Sequence, residues 1–107
     1  MMDIQMYLVR QRLWALNTFG PGVRDKSLIK HIKKELDEIK ASPGDLEEWI
    51  DVVILALEGA IRNAEAVSDR PVDDVVNCLL MKQEKNINRE WPDWMAMDPN
   101  QPIEHVK

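Results

Sequence analysis

The stretch Lys26–Ala60, KSLIKHIKKELDEIKASPGDLEEWIDVVILALEGA, decides the fold of this 107-residue chain. Before the SPGD break (Ser42–Asp45), Leu28, Ile29, Ile32, Leu36 and Ile39 recur at helical spacing and form one stripe, predicting a helix from about Lys26 to Ala41. Proline followed by glycine ends that helix and turns the chain. Asp45 then stands where an N-cap is needed, with Glu48 three residues later in the pattern of a capping box. The following helix runs from Leu46 to about Val67, with only Gly59 as a possible interruption. On its wheel, Leu46, Ile50, Val53, Ile54, Leu57, Ala60 and Ile61 fill one side, and Trp49, Val52 and Ala56 carry the apolar surface round. Glu47, Glu48, Asp51, Glu58 and Arg62 make the polar arc, with Leu55 inside it. A helix so apolar around its circumference is normally covered on most sides. Three companion helices of a small chain scarcely suffice, so a homodimer or homotetramer is expected.

Outward from this hairpin, two further helices are predicted. One spans about Asp3 to Asn17, with Met6, Val9, Leu13 and Leu16 as its stripe, and stops at TFGPG (Thr18–Gly22). The other follows the Ser68–Pro71 break and runs from about Val72 to Glu90 on Val72, Val75, Val76, Leu79, Leu80 and Ile87. Strand alternation is absent, so the fold class is all-α: an antiparallel four-helix bundle within a single domain, residues 1–107. Residues 91–107 read as an irregular tail rich in Trp and Pro, whose Trp91 and Trp94 are expected to pack against the bundle or a second subunit.

Composition narrows the function classes. A net charge of −5 is unlike the basic stripe that tracks nucleic-acid phosphates, so no nucleic-acid partner is expected. It leaves room for a phosphate ligand held through metal ions. The single cysteine, Cys78, excludes an intramolecular disulfide and Cys-rich zinc sites, and is expected to be a small buried side chain. The N-terminus lacks a basic start followed by an uninterrupted apolar run, and Trp49–Ile61 is too short to span a bilayer. No membrane partner and a cytoplasmic location are expected, in a host's cytoplasm if the chain is phage-encoded.

The chemistry lies in the carboxylates. With Leu28 at zero on its wheel, Glu35 falls at about −20°, at the edge of the apolar stripe, with His31 and Glu38 on the same ridge. An ionised carboxylate at a core margin must be paired, protonated or bound to metal, and a salt bridge is the plainest of these. Glu48 and Asp51 repeat the i, i+3 spacing on the next helix, and the short turn makes the two pairs face each other. One like-charged pair at 4 Å costs on the order of 4 kcal/mol at an effective dielectric of 20. Protons or cations must therefore be present. All-oxygen ligation suits Mg²⁺ or Mn²⁺. A di-iron centre fits less well, because neither acidic pair carries the Glu-x-x-His spacing.

These residues resemble the MazG-like, all-α nucleoside triphosphate pyrophosphohydrolases, whose signature is Glu-x-x-Glu and, after a turn, Glu-x-x-Asp. Here it reads Glu35-Leu-Asp-Glu38 and Glu48-Trp-Ile-Asp51, with a short interval between the pairs. TFGPGVR, HIKKELDEI, DLEEWIDVVILALEGA, KQEKN, WPDW and IEHVK look like the dATP/dGTP diphosphohydrolase branch that includes MazZ-like proteins. The likeness covers about residue 7 to the C-terminus. Ser27 stands where that branch has glycine, and Met95 where it has a basic residue.

The resemblance implies hydrolysis of purine (deoxy)nucleoside triphosphates, dGTP or dATP, between the α- and β-phosphates, releasing a monophosphate and pyrophosphate. It implies two or more Mg²⁺ ions (Mn²⁺ is possible) on Glu35, Glu38, Glu48 and Asp51, with Glu38 and Glu47 catalytic. Glu47 would hold or deprotonate the attacking water; otherwise it is a solvated or capping residue. Lys82, Asn86 and Arg89 form one row on the fourth helix, with Lys85 beside Arg89, and are the expected phosphate or sugar contacts. Phe19 is a candidate for base binding or a core plug, Trp14 and Tyr7 read as core or interface residues, and His31 as a support to Glu35 or a surface histidine. Two other readings stay open. One is a related pyrophosphohydrolase for another nucleotide, such as phosphoribosyl-ATP or a pyrimidine triphosphate. The other is a non-catalytic oligomerisation module whose acid ridge pairs with Lys30, Lys33 and Arg62 across subunits.

Overall fold

The structure, a computed structural model, describes residues 2–107 and holds four helices and no strand among them. Helix α1 spans Ile4–Phe19, α2 Asp25–Ala41, α3 Leu46–Glu65 and α4 Pro71–Ile87, with a single 3₁₀ turn at Trp94–Ala96. Local chemistry sets the ends. The Asp3 carboxylate accepts the Met6 amide at 2.8 Å to start α1, and Gly20, at φ 83°, ends it by donating its own amide to Leu16 O. Pro71 opens α4, where its missing N–H and fixed φ fit the first turn. Asp45 caps α3, but by accepting the Glu47 amide at 3.0 Å, while its own amide donates to Ser42 O. The capping box expected between Asp45 and Glu48 does not close, which leaves the Glu48 carboxylate for another task.

The chain divides into two compact units, one ending at Val76 and the other running from Asn77 to Lys107. In the first unit α3 is central, packing against α2 most extensively and against α1. The α2–α3 register is antiparallel: the Glu38 and Glu48 carboxylates meet near the turn, Leu28 lies beside Gly59, and Asn63 donates to Asp25 at the far end. Between α1 and α3, Arg62 reaches Ala15 O and Arg12 pairs with Glu65. The core is Leu8, Ile61, Val72 and Val75, flanked by Tyr7, Leu57, Ala64 and Val76. Burying such side chains is worth roughly 1.5–3 kcal/mol each.

Several apolar faces differ from the sequence expectation. On α1 the buried positions are Leu8 and Ala15, while Met6, Val9 and Leu13 are exposed. On α2 the buried positions are Leu28 and Glu35, while Ile29 and Leu36 are exposed. On α3 the supposed polar arc contains two buried residues, Glu58 and Arg62, at 8% and 4% exposure, whereas Leu46, Trp49, Ile50 and Val53 face solvent. The wheel sorts residues by polarity alone; a charge that finds internal partners can take the inner position.

In the second unit the tail folds back on the end of α4. The Trp91 indole N–H donates to Asn86 O at 2.7 Å, the Trp91 ring meets His105 edge-on, and the Val106 amide donates to Glu90 O. Trp91 is thus engaged, but Trp94 is 72% exposed. Cys78 is exposed, contrary to expectation, and so are Leu79, Leu80 and Met81 beside it. That turn of α4 finds no apolar cover among the described residues. No described helix is long and apolar enough to cross a membrane.

Candidate functional site

Glu35, Glu38 and Glu48 each place a carboxylate oxygen within 4.8 Å of the others. Their convergence follows from the local sequence. The i, i+3 spacing puts Glu35 and Glu38 on one ridge of α2, and the four-residue turn brings the first turn of α3 alongside. Glu35 is buried and the other two are half-buried. Glu35 Oε2 and Glu48 Oε2 are buried with no hydrogen-bond partner. Among the described residues no lysine or arginine pairs with any of the three; the only basic neighbour is His31, whose Nε2 lies 3.3 Å from Glu35 Oε1.

Protonation equilibria register the crowding. A hydrogen bond with the Glu38 carboxyl, then burial, then the charges of Glu38 and Asp51 push the Glu35 pKa up, with His31 opposing. Burial first, then the hydrogen bond with Glu38 and the charges of Glu38, Asp45 and Asp51, push Glu48 up. Asp51 itself is exposed and stands outside the tight trio, but its charge is felt by both. Glu47 is exposed beside Glu48.

A cavity of about 380 Å³ adjoins this cluster, with Glu35 and Asp51 in its wall. Trp14 and Phe19 supply an aromatic wall, meeting edge-on at 5.4 Å between ring centroids, and Leu28, Ile54 and Leu55 add apolar surface. The loop after α1 is held by two arginines. Arg24 donates to Phe19 O at 2.9 Å and lies 5.9 Å from the centre of its ring. Buried Arg62 donates to Gly20 O at 2.8 Å and Gly22 O at 2.9 Å, with Glu58 Oε2 3.9 Å from its Nε. Arg62 is thus taken up inside the chain, so the expected role of an intersubunit salt-bridge partner does not fit it. Gly20 and Gly22 both have positive φ, 83° and 102°, a conformation that side-chain-bearing residues rarely adopt.

The expected site residues therefore fall into two sets. Glu35, Glu38 and Glu48 converge, and Asp51, His31 and Phe19 line the adjoining cavity with Glu35. Lys82, Lys85, Asn86 and Arg89 belong to the second unit, where Arg89 donates to Asn86 Oδ1 at 3.1 Å and leaves the Asn86 amide nitrogen as the donor. Sequence reasoning did not place Gln11, Arg24 or Glu58 in a cavity wall. Gln11 and Glu58 carry no local signal for it, whereas Arg24, just beyond the TFGPG break, is within reach of that loop's carbonyls. Trp14, read as core or interface, was detectable only as an aromatic five residues before Phe19.

Compared with known proteins, the chain matches a family model described as dATP/dGTP pyrophosphohydrolase over residues 8–107. No curated protein and no solved structure matches it.

Proposed function

Since the chain belongs to the dATP/dGTP pyrophosphohydrolase family, and is by that membership a nucleoside triphosphate pyrophosphohydrolase, we propose that it hydrolyses dATP and dGTP between the α- and β-phosphates. The products are the deoxynucleoside monophosphate and pyrophosphate. The observation that carries the reading is the trio of buried Glu35 and half-buried Glu38 and Glu48, with two orphaned carboxylate oxygens and, among the described residues, no lysine or arginine to pair them. Three hard oxygen donors, with Asp51 close by, fit Mg²⁺ or Mn²⁺.

Bound there, two or more divalent ions would neutralise the triphosphate and acidify a water molecule for attack on phosphorus. Glu47 is free to receive that water's proton on a carboxylate oxygen, because the helix cap is made by Asp45. His31 holds Glu35 in orientation, and Phe19 offers its face to the purine. Lys82, Asn86 and Arg89, with Lys85 in a lesser part, contact the phosphates. Residues 1–107 act as one catalytic domain, and the substrate pool puts the work in the cytoplasm. The solvent-facing apolar residues Met6, Val9, Leu13, Trp49 and Val53 support self-association as a dimer or tetramer.

The test is pyrophosphate release from the common ribo- and deoxyribonucleoside triphosphates, with Mg²⁺ and with chelator. Turnover of dATP and dGTP that needs the cation is the expected result. Turnover of only a pyrimidine triphosphate or phosphoribosyl-ATP would move the chain to another substrate class, and turnover of nothing would leave a helical oligomerisation module. Light scattering on the same sample gives the oligomeric state.

A further inference from the structure

The cavity beside the carboxylates must serve two purines whose edges are opposite in sign: adenine presents an amino donor at ring position 6, guanine a carbonyl acceptor. A fixed donor or acceptor there would reject one of them strongly. The cavity's polar side chains can be taken one at a time. Ser27 donates to Arg24 O and keeps only acceptor capacity, Arg24 donates to Phe19 O, and the Trp14 indole N–H is a donor only. His31 faces Glu35, and Glu58 faces Arg62. Glu35 and Asp51 belong to the acidic end. Gln11 enters none of these pairings, is half-buried, and stands on α1 one turn before Trp14 and Ala15. It is a primary amide, with an acceptor and a donor group that exchange places by a half-turn of the terminal bond.

We propose that Gln11 reads position 6 of the purine, presenting its carbonyl to adenine and, flipped, its N–H₂ to guanine, so that one cavity accepts both bases. Trp14 and Phe19 form the aromatic wall beside the bound ring. This rests on the proposed purine triphosphate substrate.

The test compares native protein with Gln11→Glu and Gln11→Leu, each checked for an unchanged melting temperature. The readouts are kcat/KM for dATP, dGTP and dITP, and calorimetric affinity for the α,β-imido analogues of dATP and dGTP. A carboxylate only accepts, so Gln11→Glu should keep dATP and lose roughly ten-fold or more on dGTP and dITP. Gln11→Leu should weaken both purines by a similar factor, and the affinities should follow the same pattern. A dATP-to-dGTP ratio that stays within about two-fold of native in Gln11→Glu overturns the inference, as does a ratio that moves in Glu58→Gln instead. If the native protein hydrolyses neither purine triphosphate, the proposed function fails; native turnover with an unmoved ratio overturns the role of Gln11 alone.

Discussion

Helix α3 carries a half-buried acidic side chain near its start and a buried one toward its end, and the two places solve the electrostatic problem in opposite ways. Toward its C-terminal end, Glu58 has Arg62, and Arg62 in turn donates to the carbonyls of Gly20 and Gly22. Near its N-terminal end, Glu48 meets Glu35 and Glu38, with two oxygens left unpartnered and, among the described residues, only His31 as basic company. The first arrangement has its counter-charge within the chain, although Arg62 Nε makes no hydrogen bond, and it fixes the loop that walls the cavity. The second needs protons or cations from solution to offset its charge, which is what the proposed cation site would supply.

That contrast is easiest to break from the complete side. Arg62→Met leaves Glu58 without its cation and releases the loop carbonyls, and should cost about 3–5 kcal/mol of stability in chemical denaturation. Adding Glu58→Gln should return part of the loss. A mild effect in the single variant would mean that the pair is not the anchor of the loop. On the incomplete side the signs reverse. Glu38→Gln removes one charge from a mutually repelling trio, so the metal-free protein should melt at the same temperature or higher, while kcat/KM for dATP should fall roughly a hundred-fold or more. Loss of both stability and activity would mark Glu38 as structural instead.

Acid titration sharpens the comparison further. Glu35 and Glu48 have native pKa values raised above those of the unfolded chain. The metal-free native state therefore binds the extra protons, and the associated stability is present below the ordinary carboxylate range and lost as pH rises through the raised native values. Chelator-treated protein should become harder to denature as pH falls from neutrality toward about 5, and saturating Mg²⁺ should flatten or invert that slope. The smallest effect belongs to Cys78→Ser, at an exposed position, where stability should change by less than about 0.5 kcal/mol.

The helices and the acidic trio were legible because their causes are local. Gly-Pro breaks, cap residues and i, i+3 carboxylate spacing act within a few residues, and a four-residue turn leaves little freedom in how α2 meets α3. The Glu58–Arg62 pair was not legible. Its acceptors are backbone carbonyls some forty positions away, in a loop shaped by two positive-φ glycines, and polarity on a wheel carries no trace of them. The inward face of α1 escaped for a related reason. Met6, Val9 and Leu13 are as apolar as Leu8, and only packing with Ile61, Val72 and Val75 decides which side turns in. Asp51 shows the intermediate case: its spacing marks it as a member of the quartet, yet it sits at the cavity wall, outside the tight trio.

Thermal melting of the native protein and of Glu38→Gln, each with chelator and with millimolar Mg²⁺, tests most directly whether the trio is a cation site. A cation that binds only the folded state raises the melting temperature. Mg²⁺ should therefore stabilise the native protein and have little effect on Glu38→Gln. An equal shift in both proteins, or none in either, would contradict the assignment of Glu35, Glu38 and Glu48 to a divalent cation.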